Sequence, residues 1–179
     1  MSRTIKRIGL QFFAQRRPRY YSLMQNADNG EADIVIYGDI TSWPWEESDV
    51  SSYTLSRQIA GLDVDTINVY INSYGGETAE GLAIYNELRR HRAKIRTVSD
   101  GFACSAASIV FMAGDERLMN PASLLMIHNA WSSASGNADE LRKAADDLET
   151  ISTTAAAVYR EAVNIPDKQL ERLEKGETE

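Results

Sequence analysis

The chain has 179 residues, 43% of them hydrophobic and 25% charged, with a net charge of −7. That length makes one domain with room for a core, and the acidic balance argues against nucleic-acid binding, which wants a basic surface. The longest uncharged apolar stretch, Phe102 to Gly114, falls well short of the roughly 20 apolar residues of a membrane-spanning helix, so no membrane partner is expected.

A single cysteine, Cys104, leaves nothing for an intrachain disulfide and fits a reducing, cytoplasmic setting. Two histidines, His91 and His128, with no CxxC or HExxH spacing, argue against a metal site. No GxxxxGK[ST], GxGxxG or GxSxG is present, and no cofactor is implied.

Residues 1–30 read as an N-terminal arm. Its apolar run, Ile8 to Ala14, followed by Arg16-Arg17-Pro18-Arg19, is too short for the h-region of a signal peptide and is interrupted by Gln11. Asn26 to Glu31 is a loop signal. From residue 31 to 179 a single α/β domain is expected. Ile34 to Tyr37 is a short strand, Thr41 to Val50 a loop with two tryptophans, and Ser51 to Ala60 a helix. Thr66 to Ile71 alternates as a strand with Ile67, Val69 and Ile71 on one face, and Thr78 to Arg90 follows helical spacing. Ile95 to Ser99 predicts a strand, Asp100-Gly101 a turn, Ser105 to Ala113 a helix and Leu124 to Ile127 a buried strand. Strands alternating with helices predict a mostly parallel sheet with helices on both faces.

The last long helix begins at Asn137, where Glu140 three residues on completes a capping box. Leu141, Leu148, Ala155 and Ala162, interleaved with Ala144, Ile151 and Val158, form a seam of 3.5-residue period. A core-facing stripe and a subunit-packing surface both fit that pattern.

Three segments carry chemistry. Asn72-Ser73-Tyr74-Gly75-Gly76 joins a strand to a helix, and two glycines let the backbone approach a substrate. Gly101 to Ser108 places Ser105 at a helix start, where the Ala106 N–H can donate to an oxyanion. His128 ends an apolar strand, where a base would stand, whereas His91 follows Arg89-Arg90 at a helix C-terminus and suits a solvated cation.

INSYGGETAEGLAIYNELRR resembles the stretch of the Clp protease proteolytic subunit that carries its Ser-Pro-Gly-Gly motif. DGFACSAASIVFMAG resembles that family's nucleophile segment, and LLMIHNA its histidine segment. The Ala-rich form around Ser105 is nearer the bacteriophage head-maturation (prohead protease) type. The resemblance implies a ClpP/crotonase-like fold and a serine endopeptidase, with Ser105 as nucleophile and His128 as base. Gly76 and Ala106 would supply the oxyanion hole, and Gly75, Glu77 and Thr78 would bind substrate. It further implies polypeptide substrates, a homo-oligomeric ring or stacked rings with the long C-terminal helix as a handle, and a separate AAA+ unfoldase or capsid proteins as partners. For a phage enzyme the setting would be the host cytoplasm.

Tyr74 stands where the family has proline, and Ala107 where it has glycine. The family's third catalytic residue, an Asp, falls on Glu177, with only Thr178 and Glu179 after it, so a further strand and helix of the family are expected to be missing and Glu177 to be poorly held. Two rival readings are a crotonase-like acyl-CoA enzyme, which would not need Ser105 and His128 together, and a catalytically inactive ring or scaffold subunit.

Overall fold

The computed structural model describes residues 21–26, 30–46 and 48–175. The sheet follows the order β1 (Tyr21–Asn26), β2 (Glu31–Ile36), β3 (Thr66–Ser73), β4 (Lys94–Cys104) and β5 (Glu116–Met119), with β6 (Leu124–Met126) also paired to β4. All pairings are parallel except β1 with β2. Part of the predicted arm therefore belongs to the sheet: Tyr21–Asn26 forms an antiparallel strand against Glu31–Ile36. The run Ile8 to Ala14 lies outside the described residues.

The β-branched alternation in β2, β3 and β4 builds one apolar face. Ile34 pairs with Val69 and Val69 with Thr97, and neighbouring Ile36, Ile67, Ile71 and Ile95 are almost fully buried. Each such side chain contributes about 1.5–3 kcal/mol on burial. Over this face sit α1 (Ser52–Ile59), α2 (Thr78–Arg90) and α3 (Ala106–Phe111), which place Leu55, Ile59, Ile84, Leu88, Ile109 and Val110 in the same core. The opposite face, where helices were also expected, is a polar lattice. Asn68 donates to Asp33 at 2.8 Å, Arg96 donates to Glu116 at 3.1 Å, and the Tyr37 hydroxyl donates to Asp100. Consecutive parallel strands that are neighbours in the sheet, crossing over with one hand, put all their helices on one side.

Three local expectations change. The turn at Asp100-Gly101 is a bulge inside β4: Ile71 pairs with Ser99 but Ser73 pairs with Ala103, so four residues of β4 oppose two of β3. Asn72 Oδ1 fills the bulge, accepting from the Phe102 N–H at 3.1 Å, and a Cβ on Gly101 would lie 2.4 Å from that oxygen. The helix predicted from Ser105 starts at Ala106. The strand predicted as buried is exposed at Leu124 and Met126, because β6 pairs only with the end of β4 among the described residues.

The long helix, α4 (Ala138–Ala162), opens with the capping box: Asn137 Oδ1 accepts from the Asp139 and Glu140 amides, and Glu140 accepts from the Asn137 N–H at 2.7 Å. Its buried residues are Ala155, Ala156, Val158 and Tyr159, all near its C-terminal end. Leu141 and Ile151 are exposed, so the seam is core-facing only from Ala155 onward. A short α5 (Asp167–Glu174), which the periodicity did not reveal, follows and buries Leu170.

Candidate active site

Strands β3, β4 and β6 run parallel, so the segments leaving their C-terminal ends meet at one edge of the sheet. From β3 comes the turn Tyr74–Glu77, from β4 Ser105, and from β6 His128.

The turn is held by Ile40. Its N–H donates to the Gly75 carbonyl at 2.8 Å, and its carbonyl accepts from the Glu77 N–H at 2.8 Å. An extended residue between two such bonds points its own N–H the other way, so the Gly76 amide is directed away from Ile40. Gly75 and Gly76 have φ of 102° and 141°. A Cβ on Gly75 would lie 2.5 Å from the Cys104 carbonyl and 2.9 Å from the Ala106 nitrogen; one on Gly76 would lie 2.1 Å from the Ile40 carbonyl. Only glycine fits either place. Tyr74, in the family's proline position, is exposed and its ring lies 5.1 Å from that of Phe102.

Ser105 is the one non-glycine among the described residues with positive φ, at 52°. Such a conformation costs on the order of 1–3 kcal/mol and persists only where neighbours hold it. Here its N–H donates to the Met126 carbonyl at 2.9 Å, while its carbonyl accepts from the Ser108 N–H at 2.9 Å and the Ser108 hydroxyl at 2.6 Å. The hydroxyl is thereby turned toward β6, where Ser105 Oγ lies 2.9 Å from His128 Nε2. His128 Nδ1 lies 2.6 Å from the Asn129 carbonyl oxygen. A carbonyl only accepts, so Nδ1 carries the proton and Nε2 presents a lone pair to the serine hydroxyl. Cys104, next in the chain, is buried, and that burial pushes its thiol up and away from the thiolate.

A groove of ≈ 810 Å³ runs past Ser105 and His128, walled by Ile40, Thr41, Glu77, Thr78, Trp131 and Leu148. A recess of ≈ 50 Å³ behind Ser105 is closed by Ala106, Ile109, Ala155 and Tyr159. The Glu77 carboxylate turns toward the tryptophan loop, accepting from Ser42 Oγ and Thr41 Oγ1 at 2.9 Å each and from the Ser42 N–H at 3.1 Å. Those bonds, Ser42 first, hold its carboxyl below the usual range. Ser105, His128, Gly75, Gly76, Ala106 and Thr78 are thus brought to one edge, while Glu177 lies outside the described residues. Sequence reasoning missed the Asn129 carbonyl, since any residue type supplies one, and Tyr159, which falls outside the 3.5-residue seam of its helix.

The Clp protease family model matches residues 30–178. An ATP-dependent Clp protease proteolytic subunit of Deinococcus radiodurans is 35% identical over 108 residues, 59% of this chain and 53% of its own length. That of Pleurastrum terricola is 32% identical over 136 residues, 74% of this chain and 67% of its own. The chain thus spans between about half and two thirds of these relatives. A ClpP1 point mutant from Listeria monocytogenes has the same fold, with a TM-score of 0.67 at 22% identity over 83% of this chain and 80% of that one.

Proposed function

The chain belongs to the Clp protease family, and from that premise we propose that it is a serine endopeptidase acting on polypeptides inside an oligomeric ring. The 2.9 Å contact between Ser105 Oγ and His128 Nε2 carries the reading. His128 takes the hydroxyl proton as Ser105 Oγ attacks the peptide carbonyl. The N–H groups of Gly76 and Ala106 receive the oxyanion, and His128 returns the proton to the leaving amine. Water then hydrolyses the acyl-enzyme by the same route. An extended substrate lies along Gly75, Glu77 and Thr78 in the groove. Glu177 is the family-pattern candidate for the acid beside His128.

The Ala-rich segment around Ser105 supports a narrower reading, a phage head-maturation enzyme whose substrates are capsid or scaffold proteins and which works in the host cytoplasm. An AAA+ unfoldase, if one serves it, is a separate protein. The acyl-CoA and inactive-subunit readings are not favoured, since neither calls for a serine hydroxyl aimed at an imidazole lone pair.

A serine-reactive fluorophosphonate probe and a fluorogenic peptide test the proposal. Ser105→Ala abolishes both labelling and hydrolysis and keeps the fold, while Cys104→Ser retains both. Loss of activity in Cys104→Ser with retention in Ser105→Ala overturns the assignment.

A further inference from the structure

A chain of hydrogen bonds continues from the imidazole into α4. His128 Nδ1 meets the Asn129 carbonyl at 2.6 Å. The same peptide group, planar and rigid, ends in the Ala130 N–H, which donates to Ser152 Oγ at 3.0 Å. The Ser152 hydroxyl in turn donates to the Leu148 carbonyl one turn back, at 2.8 Å. The preceding peptide is tied as well, with the Asn129 N–H donating to the Glu174 carbonyl at the end of α5 at 2.7 Å. Every donor and acceptor in the series has one consistent sense, from Ser105 through His128 and the Asn129–Ala130 peptide to α4.

We propose that the Asn129–Ala130 peptide, clamped by the Ser152 hydroxyl, orients His128 and sets its tautomer, and that Ser152 is a positioning residue for the reaction. This rests on the serine-peptidase reading and departs from its family pattern, in which a carboxylate has that task. Neutral imidazole has one N–H, and it is used on the Asn129 carbonyl. If the peptide rotated by half a turn, its N–H would face Nδ1, the proton would move to Nε2, and Ser105 would face a donor instead of a base. The bond to Ser152 opposes that rotation, because the rotated peptide would leave the Ser152 acceptor empty. Ser152 does not line the groove, so its effect falls on the chemical step rather than on substrate binding.

Neighbouring Thr153 and Thr154 make the same bond to the carbonyl one turn back, so a threonine hydroxyl can make this bond within α4. The test compares Ser152→Thr, Ser152→Val and, as a helix control, Thr154→Val, each assayed for peptide hydrolysis and fluorophosphonate labelling. Ser152→Val lowers kcat about 10-fold with KM within about twofold, less than the ~10⁴ lost on disabling a triad acid, because Ser152 acts one bond further out. Ser152→Thr restores most of the rate, and Thr154→Val is without effect. Wild-type kcat in Ser152→Val, or equal damage in the Thr and Val variants, overturns the proposal. An independent readout is 15N-histidine NMR, with the two histidines assigned through His91→Gln. The unmodified protein shows His128 protonated at Nδ1, and Ser152→Val shifts it toward the Nε2-protonated form. A His128 protonated at Nε2 from the start refutes the clamp whatever the activity. Absent labelling with the Nδ1-protonated form intact refutes the peptidase reading and leaves the clamp standing.

Discussion

The phenol of Tyr159 on α4 and the hydroxyl of Ser108 on α3 are 2.7 Å apart, with 2% and 0% of their surfaces exposed. Ser108 has one proton and gives it to the Ser105 carbonyl, so Tyr159 is the donor between them. The long helix thus reaches the strained nucleophile turn from below through two hydroxyls, and reaches the histidine from the side through Ser152.

The Tyr159–Ser108 bond is measurable by a double-mutant cycle. Ser108→Ala leaves the buried phenol without its acceptor and lowers stability by about 1–3 kcal/mol, whereas Tyr159→Phe costs about 1 kcal/mol. In the double variant the two losses are less than additive, because neither polar partner is left stranded. Additive losses in thermal unfolding would show that the bond does not couple the helices.

Burial pushes the Tyr159 phenol up to about 12 from its ordinary 10.0. The folded state therefore holds this proton more tightly than the unfolded chain. Stability from this group is complete below pH 10 and is lost as pH rises toward 12, by roughly 2–3 kcal/mol. Tyr159→Phe flattens that alkaline decline in urea titrations. An unchanged slope between pH 10 and 12 would mean that the phenol ionises freely in the folded protein.

Gly75→Ala and Gly76→Ala both strain the turn, but against different neighbours. At Gly75 the new methyl drives into the Cys104 carbonyl and the Ser105 side chain; at Gly76 it drives into the Ile40 carbonyl. Displacing the turn removes one oxyanion donor, so hydrolysis falls at least about 10²–10³-fold in either variant. Gly75→Ala also slows fluorophosphonate labelling more than Gly76→Ala does, since its clash is with the nucleophile turn itself. Equal labelling rates would separate that turn from Gly75.

The exposed part of the α4 seam ahead of Ala155 predicts assembly. Leu141 is 44% exposed in the isolated subunit, and Ile151, on the interleaved row of the same seam, is 39% exposed. Leu141→Glu reduces the oligomer seen by light scattering and leaves the far-UV spectrum intact. A unmodified chain that is monomeric at micromolar concentration removes the ring from the proposed function.

Elements whose cause is local were readable from the residues alone. The helix from Thr78 to Arg90, the Asn137–Glu140 capping box and the alternation of Ile67, Val69 and Ile71 follow from propensity and period, which act within a few residues. Ser105 and His128 stood out for their place at a helix start and a strand end. Their 2.9 Å separation was set by tertiary structure, because it depends on β4 pairing with β6, which brings together two residues 23 positions apart. The same holds for the bulge at Asp100-Gly101, where Asn72 from another strand fills what the sequence presents as a turn. It holds most for the Asn129–Ala130 peptide: main-chain groups are identical at every residue, and this one is fixed beside the imidazole by the bond from the Ala130 N–H, in the segment after β6, to Ser152 on α4.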